Sequence, residues 1–248
     1  MTAILETIGI EKRFGGLTAN ADISIKIEEG SITSIIGPNG AGKTTLFNIL
    51  TGFYKPDAGR ILFQGQDITR WPIYRIVKLG IARSFQVLNI FNEISPFENI
   101  RLSVQSRKEK GFRFLRSTQK FDDINRETEA VLDEIGLAHD KHIPTKHLSY
   151  GDKRILEIGI ALASRPRLIL MDEPTSGLPS SETERVKEFI KKISERLSVV
   201  VIEHDMSVVL TISDSIVVLH QGRVIAHGSP EEIKANAQVQ EAYLGGID

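Results

Sequence analysis

A glycine-rich segment between two apolar patterns constrains the fold of this chain more than any other feature. Residues Gly37 to Thr44 read GPNGAGKT, which fits the G-x-x-x-x-G-K-[ST] spacing of a phosphate-binding loop. The apolar residues of Ser31–Gly37 predict a buried strand before the loop, and those of Leu46–Leu50 predict a helix after it. A strand, a glycine-rich turn and a helix in this order predict an α/β protein that binds a nucleotide.

The residue types in this loop suit phosphate chemistry. Glycines let backbone N–H groups approach phosphate oxygens, and the start of the helix adds unpaired donors and the positive end of its dipole. We expect Lys43 to reach the β- and γ-phosphates and the Thr44 hydroxyl to bind Mg²⁺. The residues expected to contact the nucleotide here are Gly37, Pro38, Asn39, Gly40, Ala41, Gly42, Lys43, Thr44 and Thr45. The alternative is a glycine-rich turn that binds nothing.

Two acidic residues follow an apolar strand pattern later in the chain. Leu168–Met171 is followed directly by Asp172 and Glu173. Such a strand delivers both carboxylates to one sheet edge, where open α/β sheets bind ligands. We expect Asp172 to hold Mg²⁺ and Glu173 to act as general base on the attacking water. Alone, this pattern is typical of a solvated strand end, whereas together with the phosphate loop it favours hydrolysis.

Hydrophobic periodicity predicts the rest of the core. Ile23, Ile25 and Ile27 alternate with polar residues, which is typical of a half-buried strand. The almost continuously apolar segments are Leu168–Met171, Val199–Ile202 and Ile216–Leu219. Continuous apolar strands are typical of a parallel sheet covered on both faces. From about Ser95 to Ser164 the pattern is helical only, which predicts a helical insertion in the α/β core.

A stripe of apolar residues at helical spacing predicts one further helix. Its members are Val186, Phe189, Ile190, Ile193 and Leu197. Pro179 and Ser180 precede it, and Ser181 with Glu184 three residues later predicts a capping box at its start.

Composition excludes several classes of function. The 248 residues include 31 Lys plus Arg and 32 Asp plus Glu, for a net charge of −1. This balance argues against a protein held to nucleic acid or lipid by bulk charge. The chain has no cysteine, so it forms no disulfide and no thiolate metal site. The N-terminus lacks a signal-peptide pattern, and no apolar stretch approaches the ~18 residues needed to cross a bilayer.

Over nearly its whole length the chain resembles the ATP-binding-cassette ATPases, the motor subunits of ABC transporters. Asp172 and Glu173 match the family's acidic pair, and Leu148–Asp152 resembles its signature motif. By the resemblance, Phe14 stacks on adenine and Gln86 senses Mg²⁺ and the attacking water. The same resemblance makes His204 the switch histidine that contacts the γ-phosphate.

The resemblance also implies an assembly. Two chains pack head to tail, and each ATP lies between the phosphate loop of one chain and Ser149 and Gly151 of the other. The implied cofactors are ATP and Mg²⁺. The implied partners are membrane permease subunits and a second ATPase subunit, with no nucleic acid, which places the chain peripherally at the cytoplasmic face of the membrane.

The implied fold is the P-loop NTPase fold of ABC ATPases. It has a mixed-sheet core, an N-terminal antiparallel β subdomain and an inserted α-helical subdomain. Residues 1–248 would form a single ATP-binding domain. The nucleotide-binding core would comprise residues 1–86 and 165–248, and the helical signature subdomain residues 87–164.

The chain departs from the family's usual pattern at three positions. The signature has Tyr150 where glycine is usual and Asp152 where glutamine is usual, and Pro179 stands where aspartate is common. Because a carboxylate facing phosphate would repel it, we expect Asp152 to cap the following helix instead. The departures leave Lys43 and the acidic pair in place, so we expect a hydrolytically competent subunit.

Several segments resemble the branched-chain amino acid importer subgroup, including Val201–Met206 and the C-terminal Glu241–Gly245. Because this subunit does not touch the solute, a related small polar solute stays open. The alternatives are the ATPase of lipopolysaccharide export, a soluble ABC protein of DNA repair or translation, and a binding-only cassette. The last conflicts with the presence of Glu173 and His204.

Two further features are expected to be ordinary parts of the protein surface. Arg107–Arg116 carries five basic residues and interleaved aromatics, and we expect a solvated loop rather than a nucleic-acid patch. His139, His142 and His147 lack a known metal-binding spacing, so we expect surface residues.

Overall fold

The chain forms two β-sheets with helices packed around them, as seen in a computed structural model that describes residues 2–84, 90–108 and 118–244. The strands are β1 (Ala3–Phe14), β2 (Leu17–Glu28), β3 (Ile32–Ile36), β4 (Ala58–Phe63), β5 (Gln66–Asp67), β6 (Ile81–Arg83), β7 (Leu168–Asp172), β8 (Ser198–Ile202), β9 (Ser215–His220) and β10 (Arg223–Gly228). The α-helices are α1 (Lys43–Leu50), α2 (Ile73–Leu79), α3 (Pro96–Lys108), α4 (Thr118–Glu134), α5 (Tyr150–Leu162), α6 (Ser180–Ser194), α7 (Met206–Ile212), α8 (Pro230–Ala235) and α9 (Ala237–Leu244).

The first sheet is antiparallel, with strand order β2-β1-β4-β5. In β2 the side chains of Ile23, Ile25 and Ile27 are buried, whereas Ser24 and Lys26 are exposed. The predicted half-buried strand is therefore confirmed.

The second sheet has the strand order β10-β9-β3-β8-β7-β6. Strands β9, β3, β8, β7 and β6 run parallel, and β10 pairs antiparallel with β9. The three continuous apolar segments, in β7, β8 and β9, are buried as predicted, and so are all positions of β3. The mixed α/β sheet with an antiparallel N-terminal sheet is confirmed.

The parallel sheet lies between two apolar layers. Ile169 and Met171 of β7 pack into a cluster formed mainly with helices α3 to α6. Leu168 and Leu170 point to the opposite face, into a cluster with α1 and the antiparallel sheet. Because successive strand side chains alternate between faces, one strand serves both layers, which explains its continuous apolar sequence.

The prediction of a capping box at Ser181 and Glu184 is wrong. Helix α6 begins at Ser180, and its N-cap is Pro179, without a side-chain hydrogen bond. Ser181 therefore already lies in the first helical turn, beyond the position from which a hydroxyl can cap. The Glu184 carboxylate instead accepts a hydrogen bond from Lys187 at 2.8 Å.

The helical region contains only helices and turns in its described part, as predicted from Ser95 to Ser164. None of the helices in the described ranges combines the length and the apolar character that crossing a bilayer requires.

Candidate nucleotide-binding site

The glycine-rich loop connects β3 to α1 and is held by its own backbone. The Ala41 N–H donates to the Pro38 carbonyl at 3.1 Å, and the Leu46 N–H donates to the Gly42 carbonyl at 2.9 Å. Gly42 has φ +97°, and a Cβ there would lie 2.3 Å from the Ala19 carbonyl oxygen. Only glycine fits this position, so the β1–β2 hairpin and the loop are packed together.

Lys43 begins α1, and its ammonium group bends back over the loop. Its Nζ donates to the Gly37 carbonyl at 2.7 Å and to the Pro38 carbonyl at 3.1 Å. Burial lowers the pKa of Lys43, and the charges of Glu173 and Asp172 act in the opposite direction. The cation is thus held between the loop and the acidic pair, where a phosphate could replace the two carbonyls as its partner.

Asp172 ends β7 as a buried carboxylate. Its exposed fraction is 7%. Burial raises the pKa of Asp172, the neighbouring Glu173 raises it further, and Arg83, Arg154 and Lys43 oppose this rise. The nearby cations therefore do not fully compensate the carboxylate. A divalent cation at this position would supply the missing charge, which fits the predicted Mg²⁺ role.

Glu173 has a left-handed backbone conformation, with φ +48°. Its N–H donates to the Ile202 carbonyl at the end of β8, at 2.8 Å. A non-glycine residue in this region costs free energy, and such residues cluster at functional sites. The turn moves the carboxylate out of the line of β7 and towards His204, two residues beyond the end of β8.

His204 lies beside Glu173 because β7 and β8 are parallel neighbours. The register pairs Asp172 with Ile202, so both strands end at the same edge. The His204 Nδ1 lies 3.7 Å from the Glu173 Oε1, and the histidine side chain is 57% exposed. The two residues that the sequence placed 31 positions apart thus meet at one site, open to a ligand.

Sequence reasoning missed the role of Glu203, which has no exposed surface. Its Oε1 accepts hydrogen bonds from the Thr175 backbone N–H at 3.0 Å and the Thr175 hydroxyl at 2.6 Å. Its Oε2 accepts from the His204 N–H at 3.3 Å. Glu203 thus ties the turn after Glu173 to His204. The available signal was an acid directly after a wholly apolar strand.

The signature segment begins α5 as a capped helix. The N-cap Ser149 hydroxyl accepts from the Asp152 backbone N–H at 3.1 Å, so the capping side chain is that of Ser149 and not, as predicted, that of Asp152. The Asp152 carboxylate accepts from the same hydroxyl at 3.0 Å and from Arg185 at 2.5 Å. The Asp152 carboxylate is therefore turned toward these two side chains and supports the Ser149 cap indirectly.

Gly151 already has an anionic partner within the same chain. Its N–H donates to the Oε2 of Glu182, on α6, at 2.9 Å. Sequence reasoning expected this N–H to face a phosphate held by a second chain. Instead a carboxylate occupies the N-terminal end of α5, where the helix dipole favours negative charge. No sequence signal pointed to Glu182.

Two arginines that the sequence analysis did not single out, one buried and one half-buried, lie beside Asp172 and Glu173. Arg154 of α5 is 1% exposed, pairs with Glu157 at 2.8 Å and donates to the Glu173 carbonyl at 3.0 Å. Arg83 of β6 donates to Asn48 at 3.1 Å and lies over the Phe47 ring. Burial lowers the pKa of Arg83, and Asp172 opposes the shift.

The remaining predicted site residues are Phe14, Thr44, Thr45 and Gln86. Phe14, at the end of β1, is 44% exposed and meets Tyr54 edge-on at 5.4 Å, so its ring is accessible for stacking. Thr44 and Thr45 lie in the first turn of α1, with Thr44 exposed. Gln86 lies outside the described residues.

The described residues contain no group of three or more His, Asp or Glu that could hold a metal by itself. His139, His142 and His147 are exposed, as predicted. The Mg²⁺ expected here would be held by Asp172 and Thr44, with Gln86, nucleotide phosphates and water as further ligands. Arg107 and Lys108, predicted to lie in a solvated loop, instead form the last turn of α3 and pair with Glu127, and the rest of the basic segment falls outside the described part of the chain.

Family models match two parts of the chain. A model described as ABC transporter matches residues 21–176, and one described as branched-chain amino acid ATP-binding cassette transporter matches residues 223–248.

Curated relatives match almost end to end. The chain is 41% identical to the high-affinity branched-chain amino acid transport ATP-binding protein BraF of Pseudomonas aeruginosa, covering 98% of each chain. It is 38% identical to the corresponding protein LivG of Escherichia coli strain K12, again covering 98% of each.

Solved structures match the fold. The ADP conformation of MJ1267, an ATP-binding cassette of an ABC transporter, superposes with a TM-score of 0.86 at 29% identity, covering 99% of this chain and 100% of that one. A dimeric post-hydrolysis state of the cassette MJ0796, bound to ADP and phosphate, gives 0.76 at 25% identity, covering 91% and 98%.

Proposed function

This chain belongs to the ABC transporter family of ATP-binding cassette proteins, and from that membership we propose that it binds ATP with Mg²⁺ and hydrolyses it to drive a membrane permease. It is the ATP-binding subunit of a branched-chain amino acid importer, homologous to BraF and LivG. Lipopolysaccharide export and a soluble, non-transport role are not favoured.

One observation carries the proposed chemistry. Lys43, Asp172, Glu173 and His204 come from the phosphate loop and from two strand ends, and they converge at one edge of the parallel sheet. Phosphoryl transfer to water uses groups of these kinds: a cation, a metal-binding carboxylate, a base and a histidine that is open to a ligand.

In the proposed binding mode, backbone N–H groups of the loop and Lys43 bind the phosphates, and the exposed Phe14 ring stacks on the base. Thr44 and Asp172 hold Mg²⁺, with Gln86 as a further ligand. When bound, Mg²⁺ neutralises charge on the β- and γ-phosphates. The raised pKa of Asp172 supports this assignment, because a buried carboxylate short of positive charge favours a cation.

For hydrolysis, the Glu173 carboxylate accepts a proton from the attacking water. Its left-handed turn and its contact with the Ile202 carbonyl fix the direction of the side chain. His204 donates a hydrogen bond to the γ-phosphate and orients the water with Glu173. This geometry lowers the activation barrier for hydrolysis because it positions the attacking water and stabilises the charge that develops in the transition state.

The proposed working unit contains two ATPase subunits and the permease, at the cytoplasmic face of the membrane. Ser149 and Gly151 of one chain then face the γ-phosphate on the other. The dimeric MJ0796 cassette, bound to ADP and phosphate, supports such an arrangement. ATP favours closure because only the closed dimer engages the nucleotide from both sides. The division into a core and a helical signature subdomain remains a proposal.

Replacing the proposed base tests both hydrolysis and assembly. Glu173→Gln keeps the size of the side chain and removes its ability to accept a proton, so we expect hydrolysis to slow by about 10²-fold or more. ATP should stay bound, and the variant should elute as a dimer with ATP and as a monomer without it. The measurements are phosphate release and size-exclusion chromatography with light scattering.

The matched control is Lys43→Ala, which removes the phosphate-binding cation. This variant should neither retain ATP nor dimerise with it. Unchanged turnover in Glu173→Gln would remove Glu173 from the mechanism, and normal ATP affinity in Lys43→Ala would contradict the assignment of the loop.

A further inference from the structure

A buried asparagine on β2 contacts the last glycine of the phosphate loop. Asn20 has no exposed surface. Its Nδ2 donates a hydrogen bond to the Gly42 carbonyl at 3.2 Å, across 22 positions of sequence. The two residues are in close contact, because a Cβ on Gly42 would lie 2.7 Å from the same Nδ2. Asn20 therefore joins the antiparallel sheet to the end of the loop, where α1 begins.

The orientation of the Asn20 amide follows from its partner. If its oxygen and nitrogen exchanged places, Oδ1 would face the Gly42 carbonyl oxygen, and two acceptors would repel each other. Nδ2 must therefore point to the loop, which directs Oδ1 away from the Gly42 carbonyl. There Oδ1 is buried and accepts no hydrogen bond from any residue that the structure describes.

The asparagine is an unfavourable choice for the stability of the fold. A buried polar atom without a hydrogen bond destabilises the folded state, and asparagine is depleted in strands. Leucine has nearly the same shape and would avoid both costs. The Gly42 carbonyl would still accept from the Leu46 N–H at 2.9 Å, so the fold does not need the amide to satisfy it. Local choices that oppose stability are expected at functional positions.

The Gly42 carbonyl and the Lys43 N–H belong to the same peptide group. Because a peptide group is planar and trans, the two point in opposite directions. The carbonyl points along α1 to Leu46, so the Lys43 N–H points out of the helix start, where unpaired donors bind phosphate. The second hydrogen bond on the carbonyl, from Asn20, limits the rotation of this peptide group and thus fixes the direction of the N–H.

The strand segment that presents Asn20 is itself fixed relative to the loop. The turn between β9 and β10 binds both of them. The Ala21 N–H donates to the Gly222 carbonyl at 2.8 Å, and the Gly222 N–H donates to the Ala41 carbonyl at 3.0 Å. The Asn20 side chain therefore acts from a backbone that lies at a defined distance from the loop.

We propose that Asn20 is a positioning residue, which holds the Gly42–Lys43 peptide group with its N–H directed at the phosphates, a role that rests on the nucleotide binding proposed above. Without the amide, this peptide group samples further orientations, and the binding-competent fraction of the chain falls. The apparent affinity for nucleotide falls by the same factor. Asn20 acts through the loop and touches no nucleotide atom, because its side chain is fully buried.

The test is the affinity of the full-length chain for Mg²⁺–ADP, measured by calorimetry. Asn20→Leu removes the amide and keeps the size of the side chain. We expect the dissociation constant to rise about three- to tenfold, the scale of one hydrogen bond. The melting temperature of the nucleotide-free variant should not fall, because the unpartnered oxygen is removed as well. A merely structural residue would not combine weaker binding with undiminished stability.

Hydrolysis assays on the same variant supply a second measurement. The loop binds the phosphates in the ground state and in the transition state alike. The KM for ATP should therefore rise in Asn20→Leu, while kcat stays within about twofold of the wild-type value.

Two further variants separate positioning from stability. Asn20→Ala lacks the amide and leaves a cavity, so it should lower the melting temperature, yet weaken Mg²⁺–ADP binding to the same degree as Asn20→Leu. Thr33→Val removes another buried and unpartnered oxygen, near the start of β3 and thus at the strand end away from the loop. This variant should bind Mg²⁺–ADP within about twofold of wild type.

The inference is overturned if Asn20→Leu and Asn20→Ala both bind Mg²⁺–ADP within about twofold of the wild-type chain. It is also overturned if the affinity follows the melting temperature across the three variants. A wild-type chain that binds no Mg²⁺–ADP contradicts the proposed function itself, and the inference with it.

Discussion

Asp172 carries a charge that the folded chain disfavours. Its pKa is raised chiefly by burial, whereas the pKa of Asp205, at the start of α7, is lowered by hydrogen bonds from Ser207. The two carboxylates therefore affect stability in opposite directions. A carboxyl whose pKa is higher in the folded than in the unfolded state contributes most to stability below its unfolded-state pKa. That contribution is lost as the pH rises through its folded-state pKa.

We predict that Asp172→Asn raises the melting temperature of the nucleotide-free, Mg²⁺-free chain at pH 7, because it removes a buried charge. The increase should shrink as the pH is lowered from 7 into the acid range, where the wild-type carboxyl also becomes neutral. The same variant should lose Mg²⁺-dependent hydrolysis. Scanning calorimetry across this pH range measures the first effect and phosphate release measures the second.

Asp205→Asn is the matched control. A lowered pKa means that the charged form stabilises the fold above the unfolded pKa, so this variant should lower the melting temperature at pH 7. If both variants shift the melting temperature in the same direction at pH 7, the burial of Asp172 does not make its effect on stability differ from that of Asp205.

At the scale of elements, the start of α6 lies against the start of α5. Glu182 accepts from the Gly151 N–H, and Arg185 pairs with Asp152. These contacts hold the signature helix with its anion-binding end already occupied. In the proposed dimer a γ-phosphate competes with the Glu182 carboxylate for the same N–H donor.

We predict that Glu182→Ala favours the ATP-bound dimer, because it frees the Gly151 N–H. The ATP concentration for half-maximal dimerisation of a Glu173→Gln background should fall about three- to tenfold, the scale of one hydrogen bond. Light scattering during an ATP titration measures this change.

Glu184→Ala is the control on the same helix. Glu184 is exposed and pairs with Lys187, so its loss should leave the titration unchanged. Weaker dimerisation in Glu182→Ala than in this control would show that Glu182 supports the dimer instead of opposing it.

At the scale of the whole molecule, a buried ion pair connects the helical layer to the sheet edge that carries Glu173. Arg154 and Glu157 are both nearly inaccessible, and Arg154 also reaches the Glu173 carbonyl. The pair therefore joins α5 to the residue proposed as the base. Breaking one member of a buried pair leaves the other without its counter-charge, which costs more than the pair itself contributes.

We predict that Arg154→Met lowers the free energy of unfolding by about 3–5 kcal/mol. Combining it with Glu157→Leu should restore most of that loss, because the uncompensated acid is gone. The double variant should still hydrolyse ATP more slowly than wild type, since it lacks the contact to Glu173. Urea denaturation and phosphate release measure the two effects, and full activity in a stable double variant would contradict the link.

Much of the architecture was predictable because it depends on residues close in sequence. The alternation in β2, the apolar runs of β7 and β8 and the cap at the start of α5 each follow from side-chain direction or from local hydrogen bonding. The phosphate loop was predictable for the same reason, because its glycines are required by the conformation of the loop backbone. The capping box at Ser181 failed because the N-cap lies two residues earlier, at Pro179, and periodicity does not define helix ends that closely.

The sequence alone determined which chemical groups this protein has and at which ends of which elements they stand. Only the tertiary structure decided which of them meet: Glu182 with Gly151, Glu203 with Thr175, and Arg154 with Glu173. Each pair joins different elements, so its formation depends on how strands and helices stack and on their register. A short local pattern records the preferences of a segment, but it carries no information about the neighbour that packing brings to it.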